Sequence, residues 1–104
     1  MKDSDSTLIT VGGDHSIASS TISAVKRVHD DLRVVWVDAH PDFTDSWQRN
    51  PDRHFSENYH GMPLSHVTGA TSIPDLHYWH WLTKNPKLDP RNVVLIGIRD
   101  IDTD

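Results

Sequence analysis

Three short apolar runs punctuate an otherwise polar chain. The first, Leu8 to Val11, closes on Gly12 and Gly13 and reads as a buried strand entering a tight turn. A helix is expected next, because Ala18, Ile22 and Val25 recur at helical spacing behind Ser16, a residue type suited to the N-cap. Lys26, Arg27 and His29 crowd its last turn, where the helix dipole favours cations, so the helix is predicted to end near Val28. After the turn at Asp30 and Asp31, Arg33 to Val37 is β-branched and aromatic without alternation, the pattern of a strand covered on both faces in a parallel sheet. Strand, helix and strand make a β-α-β unit. Ala39 to Gly61 is polar, irregular and holds two prolines, so it is read as a long loop, a feature that in compact domains usually carries function. Pro63 suits the start of another helix, the aromatic cluster Tyr78, Trp79 and Trp81 lies in a helical stretch from Leu76 to Leu82, and Asn92 to Ile98 is a third buried strand ending in Arg99 and Asp100. The expected class is α/β, a single domain with about three parallel strands and flanking helices.

Composition narrows the function classes. With 104 residues, 36% hydrophobic and 24% charged, the chain suits one small globular domain with a modest core. A formal net charge of −5 and no clustered basic face argue against nucleic acid as a partner. Without cysteine there is neither a disulfide nor a thiolate metal site. MKDSDSTLIT has neither the apolar core of a secretory signal nor the character of a transit peptide, and no stretch approaches the roughly 20 apolar residues that span a bilayer. A cytoplasmic protein with no membrane role is therefore expected.

In open α/β sheets ligands bind beyond the carboxyl ends of the strands, and all three expected strands place polar residues there. The first is followed by Asp14 and His15, the second by Asp38, His40 and Asp42, the third by Arg99, Asp100 and Asp102. Residues two apart in extended backbone point the same way, so Asp38, His40 and Asp42 are expected to face one point. Carboxylates and imidazoles without sulfur suit Mn²⁺, Fe²⁺, Co²⁺ or Zn²⁺ better than Ca²⁺. The plainer alternative is chance, since eight histidines in a chain of this length make stray Asp-x-His pairs common.

Four blocks, GGDHSIASSTISAV, VVWVDAHPDFTD, SENYHGMP and VVLIGIRDID, resemble the arginases, members of the manganese-dependent ureohydrolases, in that family's order and over nearly the whole chain. The resemblance implies a partial arginase/deacetylase-like fold and hydrolysis of L-arginine to L-ornithine and urea by a hydroxide shared between two Mn²⁺ ions. It implies that His15, Asp38, His40 and Asp42 are metal ligands, with Asp38 bridging, His15 and Asp42 on one ion and His40 on the other. Asp42 also handles the hydroxide proton, and His60 matches the histidine that shuttles protons to the leaving amine. Ser56 and Asn58 fall in the loop that holds the substrate carboxylate, Thr44 stands where that loop's asparagine is expected, and Asp102 matches an aspartate that contacts the α-amino group. Members of the family often assemble as trimers.

Several departures bear on these expectations. The Asp-x-Asp segment that completes the family's metal site is missing, so the chain reads as a fragment of one ureohydrolase domain, and Asp100, Asp102 and Asp104 belong to the substrate-contact block. Two divalent ions about 3.5 Å apart repel by roughly 20 kcal/mol at an effective dielectric near 20, and Asp38 and Asp42 supply half the neutralising charge of four aspartates. Weak binding of the second ion is expected. The loop between Asp42 and Ser56 is longer than usual, and Pro41 within the ligand run is compatible with an extended turn. His29, His54, His66, His77 and His80 are read as solvated or packed, and the tryptophan-rich segment as core or subunit packing. A silent fragment or pseudoenzyme that retains partial metal or amino-acid binding, and an agmatinase-like hydrolase, are the rival readings.

Overall fold

The second and third apolar runs form the sheet. In the computed structural model, described here over residues 6–43, 58–71 and 77–101, β1 (Val34–Val37) and β2 (Val93–Ile96) pair in parallel, from Val34 opposite Val93 to Val37 opposite Ile96. β-Branched residues suit this pleated surface. A parallel pair needs a crossover, and this one carries α2 (Pro63–Thr68) and α3 (His80–Lys84), while α1 (Ile17–Lys26) precedes β1. The chain is thus a small α/β unit with a two-stranded parallel sheet.

Two expectations about the sheet are corrected. Leu8 to Val11 is not a strand: Leu8, Ile9 and Val11 are 73%, 79% and 91% exposed. Apolar composition gives a strand only where a neighbouring edge supplies hydrogen bonds, and among the described residues this segment joins no ladder. Nor is the sheet covered on both faces. Trp36 lies in the core with Leu64, Val67, Leu82 and Leu88, and Ala18, Ile22, Val34 and Val93 pack against that cluster, so residues from all three helices meet one face. Val35, Val37, Val94 and Ile96 alternate onto the opposite face and stand exposed.

The helices depart from expectation mainly at their ends. Ser16 occupies the N-cap of α1 without a side-chain cap bond, and the helix ends at Lys26, with Val28 and His29 still donating back to the Val25 carbonyl. The Lys26 ammonium donates to the Asp30 carbonyl and fixes the turn into β1. Pro63 opens α2 at the first helical position, where its missing N–H is no loss, and every residue of that helix is buried. Gly69 ends it in the left-handed conformation, φ 75°, with its N–H donating to the His66 carbonyl. Lys87 Nζ then donates to the Leu82 carbonyl at 2.8 Å and the His66 carbonyl at 3.4 Å, joining the ends of α2 and α3. The aromatic segment is helical, as a 3-10 turn over His77–Trp79 running into α3, whereas Leu76 lies outside the described residues. The third predicted strand is trimmed at both ends, because Asn92 closes a 3-10 turn and Gly97 turns the chain. Asp89 caps that turn by accepting from the Arg91 N–H, and Arg91 holds the Asp89 carboxyl down to about 2.

Two outcomes follow. Gly69→Ala forces a Cβ into left-handed backbone, 3.3 Å from Lys87 Cγ, and is expected to destabilise the fold by about 1–2 kcal/mol in urea denaturation. Replacing Val37 and Ile96 with lysine, on the uncovered face, is expected to reduce concentration-dependent light scattering without lowering the melting temperature; unchanged scattering would show that this face does not drive association.

Candidate metal centre

The carboxyl end of β1 and the turn ahead of α1 lead into a group of three side chains. His15, Asp38 and Asp42 each offer one ligand atom, and these atoms all lie within 4.8 Å of one another. His15 Nδ1 stands 2.5 Å from Asp42 Oδ2 and 3.4 Å from Asp38 Oδ2. His40 lies on the other side of Asp38, with Nδ1 3.7 Å from Oδ1, and is outside that three-residue group.

Local backbone chemistry sets each position. Asp14 Oδ1 accepts the Ser16 N–H at 2.8 Å, closing a side-chain turn that leaves His15 just ahead of α1, where its carbonyl accepts the Ala18 N–H. The Ser16 side-chain hydrogen bond and this backbone bond, together with the charges of His60 and His15, hold the exposed Asp14 carboxyl below its ordinary value. Asp38 repeats the device: its Oδ1 accepts the His40 N–H at 3.0 Å, and its own N–H donates to the Ile96 carbonyl, extending the ladder past β1. The Ala39 carbonyl accepts from Arg99 and Asp100, so the segment after β2 braces the ligand loop. Gly97 makes that brace possible at φ 85°, where an added Cβ would approach the Asp38 carbonyl to 3.4 Å.

Asp42 is held differently. Its φ of 45° is the one positive value at a non-glycine among the described residues, and its carbonyl accepts the Leu64 N–H from the first turn of α2. A residue kept in sparsely populated backbone needs such bracing, and strain of this kind clusters at functional sites. The alternation argument for Asp38, His40 and Asp42 therefore does not describe the loop. The chain bends after Asp38, Asp42 turns back towards His15, and His40 is left on the far side of Asp38. The Asp42 side chain is only 11% exposed. Burial pushes its carboxyl upwards, the His15 imidazole opposes that rise, and the neighbouring Asp38 carboxylate adds to it.

The remaining sequence-derived site residues are dispersed or undescribed. Asn58 stands at the start of the 3-10 turn Tyr59–Gly61, which carries His60 exposed at its centre, outside the three-residue group. Thr44, Ser56 and Asp102 lie outside the described residues. Of the histidines read as packed or solvated, His66 is buried and stacks on Tyr59 at 4.7 Å, His77 and His80 meet edge to face, His29 is exposed, and His54 lies outside the described residues. Sequence reasoning missed Trp36, which touches His15 and the His40 backbone; its only signal was an indole two positions ahead of Asp38.

A family model for the arginase family matches residues 1–104, and the chain belongs to that family. It is 40% identical over 97 residues to an arginase of Plasmodium berghei (strain Anka), covering 91% of this chain and 25% of that protein. It is 43% identical over 96 residues to the mitochondrial arginase-2 of Rattus norvegicus, covering 90% and 25%. With arginase-1 of Homo sapiens it shares 41% identity over 96 residues, covering 90% and 28%. The chain thus spans about a quarter of the length of these curated relatives.

The raised Asp42 pKa gives a signed expectation. A carboxyl with a folded pKa above its unfolded value favours the fold while protonated at low pH, and that contribution is lost as pH rises through the folded value. Asp42→Asn removes the charge and tolerates the left-handed backbone, so the metal-free variant is expected to be at least as stable as wild type at neutral pH, with any advantage fading on acidification.

Proposed function

We propose that the chain carries the metal-binding half of a manganese-dependent guanidino hydrolase site, and that its reaction is L-arginine plus water to L-ornithine and urea. The observation that carries this reading is that His15 Nδ1 stands beside a carboxylate oxygen of both Asp42 and Asp38, with His40 near the other oxygen of Asp38. Oxygen and imidazole donors without sulfur fit a divalent ion of the manganese kind, and burial of Asp42 beside Asp38 leaves negative charge that a cation would relieve. His15, Asp38 and Asp42 would hold one ion, and Asp38 with His40 would reach a second. When bound, Mn²⁺ makes hydroxide available near neutral pH.

The chain's own residues then divide the work. Asp42, largely shielded from solvent beside His15, would accept a proton from the nucleophile and return it to the departing nitrogen. His60, exposed on its turn, would exchange protons with solvent and the leaving amine. Asn58, with Thr44, Ser56 and Asp102, would hold the amino-acid end of the substrate. A cationic guanidinium also suits a chain of net charge −5.

A second reading, metal or amino-acid binding without turnover, is favoured by one feature: His40 stands apart from the three-residue group, which itself brings only two carboxylates. Urea release from L-arginine in the presence of Mn²⁺, with His40→Ala as control and agmatine as competing substrate, separates these readings. Release by wild type well above the control, and greater with arginine than agmatine, is expected; equal inactivity of wild type and control leaves only the binding reading. Elemental analysis supplies the complement, because two ions per chain support the full site and one supports the three-residue group alone.

A further inference from the structure

We infer that Trp36 is a positioning residue for the metal ligands, its ring face setting the His15 imidazole and its indole N–H fixing the backbone of His40. The inference rests on the proposed metal site and assigns a residue that the site reading leaves unused. Trp36 is 6% exposed and sits in the core, opposite Leu95 in the strand pair. Its ring centroid lies 4.8 Å from that of His15, tilted by 31°. From the same side chain, Nε1 donates to the His40 carbonyl at 3.2 Å.

These contacts fall on both sides of Asp38. His15 faces Asp38 Oδ2, whereas the His40 N–H donates to Oδ1 and the His40 ring stands beside that same atom. One rigid indole, locked by core packing, therefore touches a histidine on each flank of the shared carboxylate. A buried ring used for packing alone needs no donor, and phenylalanine would serve. Here the N–H reaches out of the core to a carbonyl in the ligand loop, four residues along the chain. Metal sites are tuned by such supports, because a ligand held in place loses less freedom when the ion binds. Neither contact involves a metal-coordinating atom that the indole would block, since the bond is to the His40 carbonyl and the other contact is ring against ring.

The test is Mn²⁺ binding to the full chain by calorimetry, with circular dichroism to confirm folding. Trp36→Phe keeps a flat ring against His15 and removes the donor to His40. It is expected to weaken Mn²⁺ binding about tenfold. In a His40→Ala background, where the loop no longer presents that imidazole, it is expected to have little effect. Wild-type affinity in Trp36→Phe overturns the inference, as does an equal loss in both backgrounds, which would mark a general effect on the fold. No Mn²⁺ binding by wild type overturns the metal site and this inference with it. Should either variant fail to fold or to bind, hydrogen exchange of the Trp36 indole N–H in wild type decides the matter with Zn²⁺ as a diamagnetic probe. Exchange slowed further by Zn²⁺ supports the coupling, and exchange indifferent to Zn²⁺ overturns it.

Discussion

Asp38 and Asp42 bring two carboxylates to one imidazole, with ligand atoms no more than 4.8 Å apart, and the architecture around them can be understood as what keeps them there. At an effective dielectric near 20, two such charges repel by about 3 kcal/mol or more. His15 offsets part of this, standing 2.5 Å from Asp42, yet Asp42 still has a raised pKa. A cluster of this kind relaxes by splaying apart unless its backbone is constrained. Three separate elements supply that constraint: the turn ahead of α1 holds His15, the end of β1 holds Asp38, and the first turn of α2 anchors Asp42 through Leu64.

The loop bonds share a logic. Asp14 and Asp38 each use a side-chain oxygen to accept an N–H two residues on, so that the chain turns sharply at both places that lead into the His15, Asp38 and Asp42 group. Beyond the last pair of β1 and β2, the ladder continues through the Asp38 N–H and the Ala39 carbonyl, which makes the ligand loop a continuation of the sheet. Gly97 enters at the point where that continuation brings two backbones close together. Asp42, with its positive φ, is tied to the first turn of α2 through the Leu64 N–H.

Much of this was legible in the residues. The β-branched runs at β1 and β2, Pro63 at the start of α2 and the Asp-rich strand end were each set by local chemistry, and the structure has them. What the residues could not convey was non-local. Leu8 to Val11 carries strand composition, but a strand is a property of two segments, and pairing is decided by which edges are present. Lack of alternation in β1 and β2 signals apolar character on both faces without stating that both are covered, and here Val35, Val37, Val94 and Ile96 stand open. The site shows the same division. Spacing drew Asp38 and Asp42 together, whereas the bend that turns Asp42 to His15 includes a positive φ at Asp42 that no period of two anticipates. Trp36 escaped notice because its contact with the His40 carbonyl lies in the direction of one N–H.

Binding and stability are joined in such a small unit. Among the described residues the buried hydrophobic cluster comprises Trp36, Leu64, Val67, Leu82 and Leu88, a modest core. An ion seated on His15, Asp38 and Asp42 would cross-link the leading turn of α1, the end of β1 and, through Leu64, the start of α2. At a hundredfold excess over its dissociation constant it would add about 2.7 kcal/mol to the folded state, comparable with fully burying one large apolar side chain. The cost of crowding two carboxylates in the metal-free fold is the counterpart of that gain. Relief of their repulsion would favour a divalent cation at this corner of the sheet, and the elements that constrain the carboxylates are those such a cation would hold together.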